Sequence, residues 1–164
     1  MVAETGDSDK QHVEWWEKDA PQNVHDAQNS DELLEALQEA EEKDQLVVLE
    51  FWQKSCLACR ALYPKLLQIA AKYPEEVSLI KVEYDKHEYV CKRLGVDRLP
   101  FFHFYRAADG QVESFPATLM KVAKLRAAIE KHIQPRCSLT CPYPKSINHA
   151  PMLHQLMAEK ESST

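Results

Sequence analysis

The stretch FWQKSCLACRALYP, residues 51–64, decides how the chain is read. It begins at the end of a continuous apolar run, LVVLEFW (46–52), of the kind that forms a strand buried on both faces of a sheet. It ends in residues with helical spacing, Leu62, Leu66, Ile69, Ala70 and Tyr73, with Pro64 placed to kink the helix. Cys56 and Cys59 sit where strand gives way to helix. The first turn of a helix has unpaired N–H groups and the positive end of the backbone dipole. A thiol there loses its proton more readily, and the thiolate is the reactive form. Three residues along a helix is one turn, so the two sulfurs share a face and can come within bonding distance. Cys56 is placed to attack a partner disulfide, and Cys59 to resolve the mixed disulfide that forms.

Two other readings of the pair compete. Buried, inert cysteines would show no such strand-to-helix context. A zinc site needs a second ligand pair, and Cys137, Cys141, His149 and His154 are irregularly spaced for one.

Outward from the pair, the chain alternates strand and helix. Residues 29–42 read as a helix capped by Asn29 or Ser30, with Leu33, Leu34, Leu37 and Ala40 on its inner face. VSLIKVEY (77–84) is a strand, HEYVCKRLG (87–95) a short helix closed by Gly95, and FFHFYR (101–106) a strand following Pro100. Asp109-Gly110 turns it back into QVESF, and Thr118 can cap a last helix ending near His132. The expected order is α-β-α-β-α-β-β-α. That pattern predicts an α/β fold with a central mixed sheet and helices on both faces.

Three regions follow: a loose, polar N-terminal extension, 1–28, a domain, 29–133, and a Cys- and Pro-containing tail, 134–164. In the extension, Trp15 and Trp16 predict a spot that docks on the domain.

Composition excludes several classes. The net charge of −6 and the lack of a basic stripe argue against nucleic acid, and the acidic surface favours a monomer. Three glycines cannot build a phosphate loop, and no apolar run is long enough for a membrane helix. The acidic start MVAETGDSDK has neither a signal- nor a transit-peptide pattern, so the chain reads as a soluble protein or the mature part of an imported one. Five cysteines without a secretory signal favour reduced, catalytic or metal-bound thiols over a structural disulfide framework.

Further residues support a redox site. Glu50 is the sole charge in LVVLEFW. Burial behind the cysteines would raise its pKa and let it carry the proton that Cys59 must lose; on an exposed face it would do neither. Pro100 is a candidate cis proline, against an ordinary trans proline at a strand edge. Lys54 and Arg60 flank the pair and would favour a thiolate, with a solvated charged face as the alternative. Cys91 reads as a buried small hydrophobe, with a regulatory thiol as the alternative. Cys137 and Cys141 either bridge, to each other or to a partner, or remain free thiols. His87, His103 and His132 read as surface or edge residues.

Taken together, the acid-bearing strand, the CxxC, Pro64 five residues after the second cysteine, Leu99-Pro100, the hairpin and the last helix resemble thioredoxins over 46–133. VEWWEK (13–18), KVEYDKHEYVCKRLGVDRLPFFHFYRAADGQVESF (81–115) and RCSL (136–139) narrow the resemblance to the atypical cysteine- and histidine-rich thioredoxins of plant and algal chloroplasts. The resemblance implies a thioredoxin fold and a protein-disulfide oxidoreductase that works without a cofactor or metal in the chloroplast stroma, with the cytoplasm as the alternative. It implies protein dithiol and disulfide partners, among them 2-Cys peroxiredoxin and enzymes of carbon metabolism. By position it makes Cys56 the nucleophile, Cys59 the resolving thiol, Glu50 the buried acid and Pro100 the cis proline that presents the backbone of Leu99 to a partner strand. The sequence departs from the ordinary Trp-Cys-Gly-Pro-Cys, reading Ser55-Cys56-Leu57-Ala58-Cys59, and Glu50 stands where Asp is usual. A redox-inactive interaction module on the same scaffold is the competing function.

Overall fold

The computed structural model describes residues 13–107 and 109–135. Five strands form one sheet: β1 (Val24–Ala27), β2 (Leu46–Trp52), β3 (Val77–Glu83), β4 (Phe101–Arg106) and β5 (Gly110–Pro116). Their spatial order is β1-β3-β2-β4-β5. β1, β3 and β2 run parallel, and β4 and β5 join antiparallel. The expected mixed sheet is therefore present, with β2 and β3 buried at every position.

Strand β1 was not expected, since residues 1–28 read as loose. It is a four-residue edge strand with only two apolar residues, Val24 and Ala27, too short to show a period. Asn23 fixes its start. The buried Asn23 Nδ2 donates to the carbonyls of Ala70, Tyr73 and Val77 at 2.9, 3.3 and 2.9 Å.

Among the described residues four helices cover the sheet: α1 (Ser30–Glu42), α2 (Leu57–Lys72), α3 (Glu88–Arg93) and α4 (Val122–His132). Asn29 caps α1, its side chain accepting from Glu32 N–H at 3.0 Å, while Glu32 reaches back to Gln28 N–H at 2.9 Å. α1 and α3 pack on one face through Leu33, Leu37, Val90 and Cys91 against Val47, Leu49 and Phe51. α2 and α4 pack on the other through Leu62, Leu66, Leu125 and Ile129 against Leu46, Val48 and Phe102. The alternation along β2 sends Glu50 to the α2 face with Leu46 and Val48.

α2 continues across Pro64, whose ring nitrogen cannot donate to the Arg60 carbonyl. Gly95 ends α3 with φ +71° and Gly110 opens β5 with φ +69°, the left-handed backbone that glycine adopts at no steric cost. Thr118 precedes a single 3-10 turn, Leu119–Lys121, without a side-chain cap hydrogen bond, and α4 itself starts at Val122.

Candidate active site

Cys56 is the N-cap of α2, and its Sγ accepts a hydrogen bond from Cys59 N–H at 3.2 Å. Its extended backbone (φ −79°, ψ 104°) hands the chain from strand to helix. The two cysteines are joined as a disulfide with Cα atoms 5.3 Å apart, inside the usual range for such a bridge. The sulfurs are unequal in access. Cys56 is half-buried at the helix tip, and Cys59 is fully buried one turn in. An incoming partner thus meets Cys56 first.

The Leu99–Pro100 bond is cis, as expected for Pro100, and Pro100 is buried. Pairing of Phe51 with Phe101 across β2 and β4 places Pro100 and the end of β2 at the same edge of the sheet. That edge also leads into Cys56. The carbonyl of Pro100 accepts from Ala117 N–H at 3.3 Å, which holds the loop against the end of β5.

Glu50 is 1% exposed, and one carboxyl oxygen, Oε2, has no hydrogen-bond partner among the described residues. Burial pushes its pKa up to about 8, against the pull of Lys81; Asp26 adds a smaller push upward. A carboxyl that titrates near neutral pH can give or take a proton.

Sequence reasoning did not single out Lys81. It is 2% exposed in the middle of β3 and is the register partner of Glu50 on β2 and of Asp26 on β1. Its Nζ donates to the Trp16 carbonyl at 3.0 Å and lies 3.6 Å from Asp26 Oδ2. It also sits over the rings of Trp52 and Tyr63, at 4.6 and 4.8 Å. A charge in the apolar run VSLIKVE was the available signal, parallel to Glu50 in LVVLEFW.

Both tryptophans of the N-terminal segment dock, as a 3-10 turn, Trp15–Glu17. Trp15 meets Trp52 and Tyr63 edge-on at 5.3 and 5.6 Å, and Trp16 lies 6.2 Å from Trp52. Trp15 also walls an open groove of about 380 Å³ with Lys18, Leu57, Arg60, Ala61, Tyr63 and Pro64, beside the cysteine pair. Leu57, between the cysteines, is 78% exposed.

Other expectations are corrected or placed. Lys54 turns toward Glu83 at 3.8 Å and the Trp16 ring at 5.2 Å, while Arg60 joins the groove. His87 and His103 are buried, not surface residues. His87 Nε2 bonds the Ala27 carbonyl at 2.9 Å, and His132 pairs with Glu113 at 2.8 Å. Cys91 is a buried core thiol, as read, with its pKa pushed up to about 12 by burial. Cys137, Cys141, His149 and His154 lie outside the described residues, as does most of the 134–164 tail. Among the described residues no group of three or more His, Cys, Asp or Glu is placed to hold a metal ion.

A helix-tip cysteine bridged to a fully buried neighbour, with a cis proline at the same end of the sheet, is an arrangement suited to thiol–disulfide exchange. The thioredoxin family profile matches residues 23–131. The chain belongs to the thioredoxin family. It is 44% identical over 143 residues to "Thioredoxin-like 2, chloroplastic" of Oryza sativa subsp. japonica, covering 87% of this chain and 65% of that relative. It is 50% identical over 110 residues to "Thioredoxin-like 2-2, chloroplastic" of Arabidopsis thaliana, covering 67% of this chain and 45% of that relative. The chain thus spans about half to two thirds of the length of these relatives. Among solved structures, Fasciola hepatica thioredoxin superposes with a TM-score of 0.58 at 27% identity, covering 66% of this chain and 98% of that one.

Proposed function

We propose that this protein is a chloroplast protein-disulfide oxidoreductase that cycles Cys56 and Cys59 between dithiol and disulfide. The carrying observation is the unequal pair itself, a half-buried Cys56 at the tip of α2 bridged to a fully buried Cys59. In the reducing direction the Cys56 thiolate attacks one sulfur of a partner disulfide. A mixed disulfide forms and the partner's other sulfur leaves as a thiolate, which takes a proton. Cys59 then gives its proton to Glu50 and attacks Cys56, and the partner departs with both sulfurs reduced. Two electrons pass from the pair to the partner. Run backwards, the same steps oxidise a dithiol partner, with Glu50 returning the proton to Cys59.

Pro100 and the backbone of Leu99 take the partner's extended chain beside the cysteines. Partners are proteins carrying an exchangeable disulfide or dithiol. 2-Cys peroxiredoxin and enzymes of carbon metabolism are the proposed ones, and the stroma is the proposed site. The chloroplastic names of the relatives support the chloroplast, and the sequence resemblance is the ground for the stroma.

The test is a pair of single substitutions read on a model protein disulfide and on oxidised and reduced 2-Cys peroxiredoxin. Cys56→Ser is expected to abolish turnover, and Cys59→Ser to accumulate the mixed disulfide on Cys56. Turnover that survives Cys56→Ser would remove Cys56 as the nucleophile, and a parent chain without turnover whose partner binding is unchanged in Cys56→Ser would be an interaction module.

A further inference from the structure

A primary amine in the middle of a sheet is costly unless acceptors surround it. Lys81 meets that need asymmetrically. Across the α2 face Asp26, Lys81, Glu50 and Phe102 lie side by side in register on β1, β3, β2 and β4. Asp26 supplies one acceptor, 3.6 Å away and itself one-third exposed. The closer acceptor is not on the sheet or on α2. It is the main-chain carbonyl of Trp16, 3.0 Å from Nζ, which also accepts from Tyr63 Oη at 3.4 Å. The rings of Trp15 and Trp16 pack on Trp52 and Tyr63, the same two rings that face the Lys81 ammonium. A segment 65 residues away in sequence therefore completes the shell of the amine that neighbours Glu50.

We propose that the Trp15–Glu17 turn is a positioning element of the exchange site: it seats Lys81 beside Glu50, keeps water from the pair, and so sets the pH at which Glu50 exchanges a proton with Cys59. The proposal rests on the reading of Glu50 as the proton carrier. The other titratable and charged groups around the pair are Asp26 on β1, Tyr63 on α2, and Glu83 two residues along β3, which Lys54 from the loop after β2 and Lys86 from the loop after β3 reach. β4 offers only Phe102 opposite Glu50.

Opening the turn has two opposed effects on Glu50. Water reaching the row lowers the cost of ionising the carboxyl. Hydration of Lys81 weakens the attraction that already favours ionisation. Burial is the larger influence on Glu50 and Lys81 the smaller, so the net effect is a lower pKa.

The experiment titrates Glu50 by carboxyl ¹³C NMR in the full oxidised chain, its signal assigned by its loss in Glu50→Gln, beside a pH–rate profile of disulfide exchange. The Trp15→Ala/Trp16→Ala double variant is expected to keep its far-ultraviolet circular dichroism. Its Glu50 midpoint should fall by about one unit or more, with the pH–rate profile moving alongside. Trp15→Ala alone removes fewer contacts and should give a smaller shift of the same sign, which keeps the test open if the double variant does not fold. A midpoint that stays or rises in the folded variants overturns the proposal, even if their rate falls evenly at all pH values. Failure of the underlying reading looks different: Glu50 would titrate in the ordinary carboxylate range in the parent chain, and Glu50→Gln would leave the pH–rate profile intact. That result would overturn both.

Discussion

Glu50 and Lys81 are register partners on adjacent parallel strands, both almost wholly buried on the face that α2 covers. A buried carboxyl beside a buried amine is a polar pair inside an apolar sheet, and its cost depends on pH. Glu50 titrates at about 8 in the folded chain against an ordinary 4.5. Its folded-state pKa is raised, so the stability it permits is fully present below about pH 4.5 and is lost as pH rises through 8. Glu50→Gln cannot ionise. The variant should therefore gain on the parent between those pH values, by a few kcal/mol, with a constant difference above about pH 9. Urea unfolding of both oxidised proteins from pH 5 to 9 reads the gain as a midpoint shift at unchanged slope. Parallel stability curves would refute a buried, proton-holding Glu50.

The residues between the cysteines predict the redox midpoint. Cys56 caps α2, so Ala58 and Cys59 are the second and third residues of the helix, whose N–H groups a capping side chain accepts from. Cys59 N–H already points at Cys56 Sγ. Ala58 stands where ordinary thioredoxins have proline, and it restores an N–H that proline lacks. In the dithiol state this adds a donor for the Cys56 thiolate and stabilises the reduced form. A hydrogen bond to a charged group contributes roughly 1.5–3 kcal/mol. For a two-electron couple that is a rise of roughly 30–60 mV above the thioredoxin value of about −270 mV. Titration against glutathione, read by alkylation mass shift in a variant lacking the other three cysteines, measures it. Ala58→Pro should lower the midpoint, and a parent midpoint at or below −270 mV would rule the argument out.

How much of this could be read from the sequence depended on whether the signal was local. β2 and β3 are continuous apolar runs, so their burial was legible, and the strand-to-helix step placed Cys56 and Cys59 without further help. Asn29 with Glu32 gave the start of α1 through a side-chain pattern three residues long. β1 was not legible because an edge strand of four residues has too few positions to alternate. Lys81 was missed for a different reason. Its partners, Trp16, Asp26 and Glu50, lie 65, 55 and 31 positions away, and only the order β1-β3-β2 brings them side by side. The buried histidines were missed similarly: His103 in FFHFYR reads as outward, but the rings of Phe51, Phe101 and Tyr105 enclose it, and His87 finds its partner in the Ala27 carbonyl 60 residues away.

Asn23 is predicted to be a stability residue far out of proportion to its size. It joins the end of α2 to the starts of β1 and β3 through three carbonyls, and its own carbonyl accepts from Leu79 N–H at 2.8 Å. Asn23→Ala leaves those carbonyls short of a buried donor and should cost about 2–3 kcal/mol. Asn23→Asp keeps the shape but sets a carboxylate against three acceptors, and should cost more than alanine above pH 5. Chemical denaturation of both variants gives the order, and an aspartate variant as stable as the alanine one would remove the donor role of Asn23.

His103 predicts how the fold meets acid. It is 2% exposed on β4, packed edge-on against Phe51 and Phe101 at 5.0 and 5.3 Å, with Nδ1 3.1 Å from Tyr105 Oη. Burial lowers its pKa from the ordinary 6.5 to about 4. The unfolded chain therefore binds the proton more readily than the folded one. Stability that is present above pH 6.5 is lost as pH falls through 4, by about 3 kcal/mol from this group at its limit. His103→Phe has no proton to bind and should flatten that part of the acid limb, leaving the carboxylate contribution at lower pH. The neutral ring must be excluded from solvent for this to hold. Unfolding free energies of parent and variant between pH 4 and 7 should therefore converge or cross as pH falls. A constant difference across that window would mean that His103 takes up its proton in the folded state as easily as in water.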